Sequence, residues 1–266
     1  ANASAEVQVA GTAELVASEN LTLKAKSTAI TEMPAIVLQL SNSPIQAATV
    51  AGMVESDAKV NVTGAAKLTA GNVLNVEAKN KTKVSVMSLT MNGTGSSEIG
   101  AGAVTYASAR TNTSATVGED VVVDARQVNV TAKHDHYFSA TAASTANGDG
   151  YAGVGFAYTE QDITTTADFS ASLYRTVNGV AGKADGLTVT AHTDTEVNKT
   201  AGETQVGTGL AGKIVGPVLN TPQSIANMVR GKVSSNSALN SAVSAGGNSH
   251  LRVGGGVSIA INEQTT

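Results

Sequence analysis

The phrase Leu74-Asn-Val-Glu-Ala-Lys-Asn80 is the most informative stretch of this sequence, because related phrases stand at Leu21–Ser27, Val128–His134 and Leu187–Thr193. Their first residues are 53, 54 and 59 positions apart (74 − 21, 128 − 74 and 187 − 128). Each phrase alternates apolar and polar side chains, which is the pattern of a strand with one buried face. A strand that recurs at a nearly constant interval predicts an all-β chain of stacked repeats, a parallel β-solenoid.

A second set of phrases lies between the first. Gly100–Ala107, Gly153–Tyr158 and Gly254–Ile261 share a Gly-x-Gly start and an alternating apolar tail. Glycine within a strand permits a bend or the close approach of another backbone. A repeat of about 54 residues is long for one turn of a typical parallel β-helix, so the sequence predicts two or three turns per repeat.

Composition supports a narrow interior. The chain has 266 residues, of which only 3% are aromatic and 14% charged, with no tryptophan. Small and β-branched side chains fill a thin core well and suit a pleated surface. Seventeen lysines and arginines against 21 acidic residues give a net charge of −4, which argues against nucleic acid as a partner. The absence of cysteine excludes disulfides and zinc–thiolate sites.

The sequence indicates one solenoid segment over residues 1–266, cut from a longer chain, with two excursions from the repeat. Residues 30–45 hold two of the four prolines and an apolar cluster, which predicts an irregular excursion. Residues 210–245 are predicted to be partly helical. Thr221-Pro222 would begin a helix, and Ser237–Val243 would add a second short turn.

The repeats resemble those of very large bacterial exoproteins, the filamentous-haemagglutinin-like and leukotoxin-type adhesins. The matching features are the four Leu/Val-x-Leu/Val-x-Ala phrases and the glycines and apolar residues of the Gly-x-Gly phrases. They include Gly100, Gly102, Val104, Gly153, Gly155, Ala157, Gly254, Gly256, Val257 and Ile259. The resemblance implies a right-handed parallel β-helix, exported by two-partner secretion or through an autotransporter barrel. It supplies no site residues.

His134-Asp135-His136 is the most suggestive local cluster. Alternate residues of a strand point the same way, so the two imidazoles could share a face and bind a metal, with Asp124 or His192 as a third ligand if the repeats align. The alternative is a polar outer strand edge, and we adopt it, expecting no metal, cofactor or catalytic site. Asn147–Gly150 is interpreted as a turn and not as a calcium site.

Three functions are compatible with this sequence. The first is a structural and adhesive segment of a secreted or cell-surface virulence protein. Its expected partners are a host or bacterial surface (protein or glycan), an outer-membrane export partner and further copies joined end to end. The second is a β-helical polysaccharide lyase or glycosidase, but the carboxylates are scattered and the aromatics few. The third is a membrane-perturbing toxin fragment. We expect the first, and no enzyme.

Overall fold

A computed structural model describes residues 1–39, 45–92, 100–146, 152–206, 240–246 and 250–265. Every regular element in these ranges is a β-strand, and most of the strand pairs are parallel. No helix in the described ranges is long and apolar enough to cross a bilayer. The predicted all-β class with parallel pairing is therefore confirmed.

One sheet, sheet A, has six strands in the order β1-β4-β6-β8-β13-β12. Their bounds are Asn2–Val9 for β1, Ile45–Val62 for β4, Gly100–Val117 for β6, Ala152–Phe169 for β8, Asn240–Gly246 for β12 and His250–Thr265 for β13. All neighbours are parallel except β12, which runs antiparallel to β13.

The other sheet, sheet B, is built around two long central strands. Its bounds are Glu14–Ala17 for β2, Leu21–Gln39 for β3, Lys67–Asn92 for β5, Val122–Ala146 for β7, Ser172–Val177 for β9, Val180–Gly182 for β10 and Gly186–Val206 for β11. Both β2 and β3 pair with one edge of β5, whose other edge pairs with β7. The free edge of β7 receives β9 and then β11, while β10 forms a short hairpin with β9.

The four related phrases occupy equivalent positions in sheet B. Leu21 pairs with Leu74, Leu74 with Val128, and Val128 with Leu187, all in parallel register. Each repeat contributes one long strand to each sheet, as in β4 with 18 residues and β5 with 26. The expectation of two or three turns per repeat is therefore wrong, because these strands are several times longer than the usual five or six residues.

The two sheets pack face to face over a narrow apolar interior. Strands alternate buried and accessible residues, and the first core cluster joins valines and alanines of both sheets with Leu68 and Leu74. The predicted inward residues Leu23, Leu74, Val76, Val128 and Val130 are buried. A second cluster surrounds Phe138.

Three predicted inward residues are less buried than expected. Leu21 is half-buried, while Leu187 and Val189 are 46% and 43% exposed. Leu187 and Val189 lie on β11, which in the described ranges pairs only with β7 and leaves its other edge uncovered. An inward position is buried only where repeats cover it from both sides.

Both predicted excursions differ from the structure where it describes them. Residues 30–39 continue β3 in register with β5, with Pro34 beside Met87. Proline is tolerated there because β3 has no second strand neighbour among the described residues, so the missing N–H breaks no ladder. Residues 40–44 lie outside those ranges.

Only the end of the second excursion is described. Residues 240–246 form β12 and pair with β13, so the short helical turn predicted over Ser237–Val243 is corrected from Asn240 onward. The open edge of β13 offers hydrogen bonds that override a weak helical pattern. The segment 207–239, including the helix predicted from Thr221, lies outside the described residues.

Close backbone approach, expected for the Gly-x-Gly phrases, occurs at Gly155. A Cβ built on Gly202 of sheet B would lie 2.7 Å from the Gly155 carbonyl oxygen of sheet A and would collide with the Val257 carbonyl oxygen. Gly202→Ala is therefore expected to lower the free energy of unfolding by about 1–3 kcal/mol, because backbone cannot yield as a side chain can.

Urea denaturation followed by circular dichroism measures this effect. The matched control is Gly102→Ala, whose added methyl group would find its nearest atom, the Gln46 carbonyl oxygen, at 3.6 Å. Equal stability of the two variants would contradict the close approach of the sheets at Gly202.

Candidate functional site: a buried histidine pair

His134 and His136 point into the molecule and not to its surface. Their exposed fractions are 0% and 2%, so the interpretation as a polar outer edge is wrong. The alternation that buries Val128, Val130 and Ala132 on β7 continues through both histidines to Phe138. His136 stacks on the Phe138 ring with centroids 5.9 Å apart.

The histidines belong to a band of polar residues between the two apolar clusters. In sheet B, His134 shares one register row with Ser27, Asn80 and Thr193. His136 shares the next inward row with Thr82 and Thr195. Buried members of the band on sheet A are Ser56, Thr111, Thr113, Gln161 and Thr165. The interior therefore changes from apolar to polar and back along the long strands β4, β5, β6 and β7.

Hydrogen bonds across the interior satisfy one end of this band. The Ser27 and Ser56 hydroxyls lie 2.9 Å apart. Ser56 donates to Asn80 Oδ1 at 2.7 Å, and Asn80 Nδ2 donates to the Ser56 carbonyl at 2.9 Å. Buried polar groups cost little when they are paired in this way, and the pairs join the two sheets.

A directional chain of hydrogen bonds runs through the histidines. Gln161 Nε2 donates to Asn198 Oδ1 at 2.9 Å, which leaves Gln161 Oε1 to accept from His136 Nε2 at 2.9 Å. His136 Nδ1 is then unprotonated, and its lone pair accepts a hydrogen bond from the Thr82 hydroxyl at 2.9 Å. Thr82 Oγ1, its proton used, accepts from His134 Nε2 at 2.8 Å.

This chain ends on His134 Nδ1, which carries a lone pair. That atom makes no hydrogen bond to any described residue, and the same holds for the buried hydroxyls of Thr111 and Thr113 on β6. His134 Nδ1 is thus the position in the band where an added proton would be received. A proton there would have no described acceptor beside it.

Both imidazoles are held neutral. Burial is the main reason that the pKa of His134 falls to about 4, and the neighbouring His136 lowers it further, against a small opposing effect of Asp135. Burial also lowers the pKa of His136, although the bond to Gln161 partly opposes the shift. Neutral imidazoles can complete the hydrogen-bond chain without placing charge in the interior.

The structure does not bring the proposed third metal ligands to the histidines. His192 is exposed and in register with Lys133, which faces outward. Asp124 accepts a hydrogen bond from the Thr176 backbone N–H at 2.8 Å. Within the described ranges no three His, Cys, Asp or Glu side chains form a group suited to a metal. Asn147–Gly150 lies outside those ranges.

Carboxylates that a glycosidase site would need lie on different elements of the fold. Asp57 bonds Lys59 at 2.8 Å, and Asp168 accepts from the Ser170 hydroxyl at 2.9 Å. Glu119 and Asp120 are exposed at the turn after β6. Asp57 lies on β4, Glu119 and Asp120 in the turn after β6, and Asp168 near the end of β8.

Sequence reasoning missed two outer surfaces. Lys26, Lys79 and Lys133 form one row on the outer face of sheet B. On the outer face of sheet A, Tyr106 and Tyr158 stack with centroids 5.8 Å apart. The signal for the lysine row was present, because the sixth residue of three of the four phrases is lysine.

Comparison with known proteins gives no relative for this arrangement. No protein-family model matches the chain, and neither the curated proteins nor the solved structures searched include a match.

Proposed function

We propose that the chain is a right-handed parallel β-helix that serves as a structural and adhesive segment of a bacterial protein at the cell surface or in the medium. The observation that carries the proposal is the shared register of Leu21, Leu74, Val128 and Leu187. Repeats that stack in register make an elongated scaffold with long regular faces, and such faces suit binding to another surface.

Features of the edges support this role. The strands β1 and β3 at one end, and β11 at the other, have one edge without a partner strand among the described residues. Open parallel edges can pair with a further repeat or with another copy, which agrees with end-to-end assembly. Export through an outer-membrane partner and binding to a host or bacterial surface belong to the same proposal.

The stacking is tested by spin labels on one register row. Thr22, Asn75, Asn129 and Thr188 are in register on successive strands of sheet B and face outward, and the chain has no native cysteine to interfere. Cysteines at 22 and 188 should give a dipolar distance of about 15 Å, three strand spacings of about 4.8 Å. A distance above about 30 Å would contradict the β-helix.

Adhesion is tested on beads coated with the chain. Coated beads should bind epithelial or bacterial cells more strongly than beads coated with a variant unfolded by a buried charge, such as Val130→Asp. The two coatings have nearly the same composition. Adhesion is therefore supported if cells are retained by beads coated with the folded chain and not by beads coated with the unfolded variant. Equal retention would reject the adhesive role while leaving the β-helix untouched.

A further inference from the structure

The outer faces of the two sheets carry opposite charge. On sheet A, seven outward carboxylates face solvent with only two cations, a net charge of −5. They are Glu6, Glu55, Asp57, Glu160, Asp162, Asp168 and Glu263, with Lys59 and Arg110. At the centre of sheet B, six lysines stand with three carboxylates, a net charge of +3. They are Lys24, Lys26, Lys79, Lys81, Lys83 and Lys133, with Glu32, Glu77 and Asp135.

Lysines stand side by side in the lysine row. Lys26, Lys79 and Lys133 are directly in register, and like charges opposite one another repel. Glu77 offsets part of this repulsion by pairing with Lys79 at 2.9 Å and Lys24 at 3.1 Å, and Asp135 pairs with Lys133 at 3.0 Å. Lys26 and Lys81 make no ion pair with any described residue. Excess positive charge at the centre of one sheet face, in a chain of net charge −4, indicates an anionic partner surface.

Hydrogen bonds across the interior show which outward residues of the two sheets lie at the same position along the strand direction. Ser56 bonds both Ser27 and Asn80, so the outward Lys26 and Lys79 lie level with Asp57 on the opposite side of the molecule. If a second copy is shifted perpendicular to the sheets, the outer face of its sheet A meets the outer face of sheet B of the first copy. Its Asp57 then lies over the lysine row of the first copy.

The apolar residues of the outer faces align in the same way. Thr31 bonds the Met53 carbonyl, which sets Ile30, 52% exposed, level with Met53, 63% exposed. Ser88 bonds Thr105 at 2.8 Å, which sets Met87 level with Tyr106. The perpendicular displacement that pairs lysine with aspartate thus also pairs apolar side chains with apolar side chains.

Size and spacing fit a second copy. A strand of 18 residues is about 60 Å long and four strands span about 19 Å, so each face offers roughly 1,100 Å², above the ~800 Å² per partner of a standard interface. The strands of both sheets have the same spacing, so the outward side chains of sheet A in a second copy recur at the same interval as the lysines of the row. Parallel sheets are also generally covered on both faces.

We propose that the outer face of sheet B binds the outer face of sheet A of a second copy of this chain, with the copies stacked side by side. The contact is heterologous and can add further copies. The proposal does not depend on the adhesive role, since it needs only the two described faces.

Sedimentation velocity at several protein concentrations tests the proposal. At low salt the mass should rise with concentration above the 26.6 kDa of one chain, and about 1 M salt should weaken this association because the Debye length falls to about 3 Å. A chain that stays at the monomer mass in low salt at all concentrations overturns the proposal.

Matched charge reversals identify the faces. Lys26→Glu with Lys79→Glu should weaken association at least tenfold, whereas Lys67→Glu with Lys183→Glu, an equal change in charge away from the row, should not. Glu55→Lys with Asp57→Lys should also weaken association at least tenfold. Mixing the first and third variants should restore it, because glutamates at 26 and 79 of one copy then meet lysines at 55 and 57 of the other.

Two results would overturn the assignment of the faces. One is equal association of the Lys26/Lys79 and Lys67/Lys183 variants, and the other is failure of the mixture to associate while both variants retain the wild-type melting temperature. A monomeric wild type that binds a sulfated polysaccharide through Lys26 and Lys79 would assign the row to a polyanion instead and reject the second copy.

Discussion

Val130→Asp is expected to lower the free energy of unfolding by about 3–5 kcal/mol, enough to unfold many domains at 37 °C. Val130 is fully buried among Val76, Val128 and other members of the first core cluster. A carboxylate there would lose its hydration and gain no cation, and a buried unpaired charge is among the most costly substitutions. Chemical denaturation measures the change.

Thr131→Asp is the matched control. Thr131 is the next residue on β7 but faces outward beside Glu77, so an added carboxylate should cost no more than about 1 kcal/mol. Should Val130→Asp not fold at all, Val130→Ala should still fold with a loss of about 1.5–3 kcal/mol. Similar melting temperatures for Val130→Asp and Thr131→Asp would contradict the assignment of the buried face.

Acidification is expected to destabilise the chain by about 3 kcal/mol through His134 alone, because its pKa falls from 6.5 in the unfolded chain to about 4 in the folded one. Between these values the unfolded state binds more protons than the folded state. The stability is therefore fully present above about pH 6.5, falls as the pH drops, and levels off below about pH 4. His136, whose pKa is also lowered, adds to the loss.

The neighbouring repeat supplies the control for this effect. Asn80 and Thr82 occupy the rows of His134 and His136, so His134→Asn with His136→Thr replaces the histidines by residues that the same interior already accommodates. The double variant should lose less stability than the wild type between pH 6.5 and 4. Parallel stability curves in urea titrations at each pH would show that the histidines do not titrate on unfolding.

Much of the fold follows from the repeated phrases. Alternation predicted the buried faces at Leu74 and Val130, and the spacing predicted their parallel stacking. The alternation of Val128 and Val130, continued along β7, places His134 and His136 on the interior face. Their polar character nevertheless favoured the surface in the sequence interpretation. The histidines are buried because Thr82 and Gln161, distant in sequence, supply their hydrogen bonds.

Strand length and the behaviour of residues 30–39 were beyond the sequence patterns. Proline usually marks the end of a strand, and Pro34 is accommodated only because β3 lies at the edge of its sheet. The lysine row is visible when the phrases are aligned, since Lys26, Lys79 and Lys133 are each the sixth residue of a phrase, but only the register shows that they lie side by side on one outer face. Strand register therefore shows which side chains are neighbours across strands, and the apolar–polar alternation of the sequence does not.

The buried polar band has a consequence for how such long strands find their partners. A strand of 18 to 26 residues that slips by two positions keeps its alternation, so apolar contacts alone distinguish poorly between neighbouring alignments. A two-residue slip of β7 that brings His136 beside Val84 instead of Thr82 would break its hydrogen bond and set an imidazole against valine. Chains with the wrong strand register would therefore be less stable than the native fold. The buried polar band thus selects one register among several that the apolar contacts would allow.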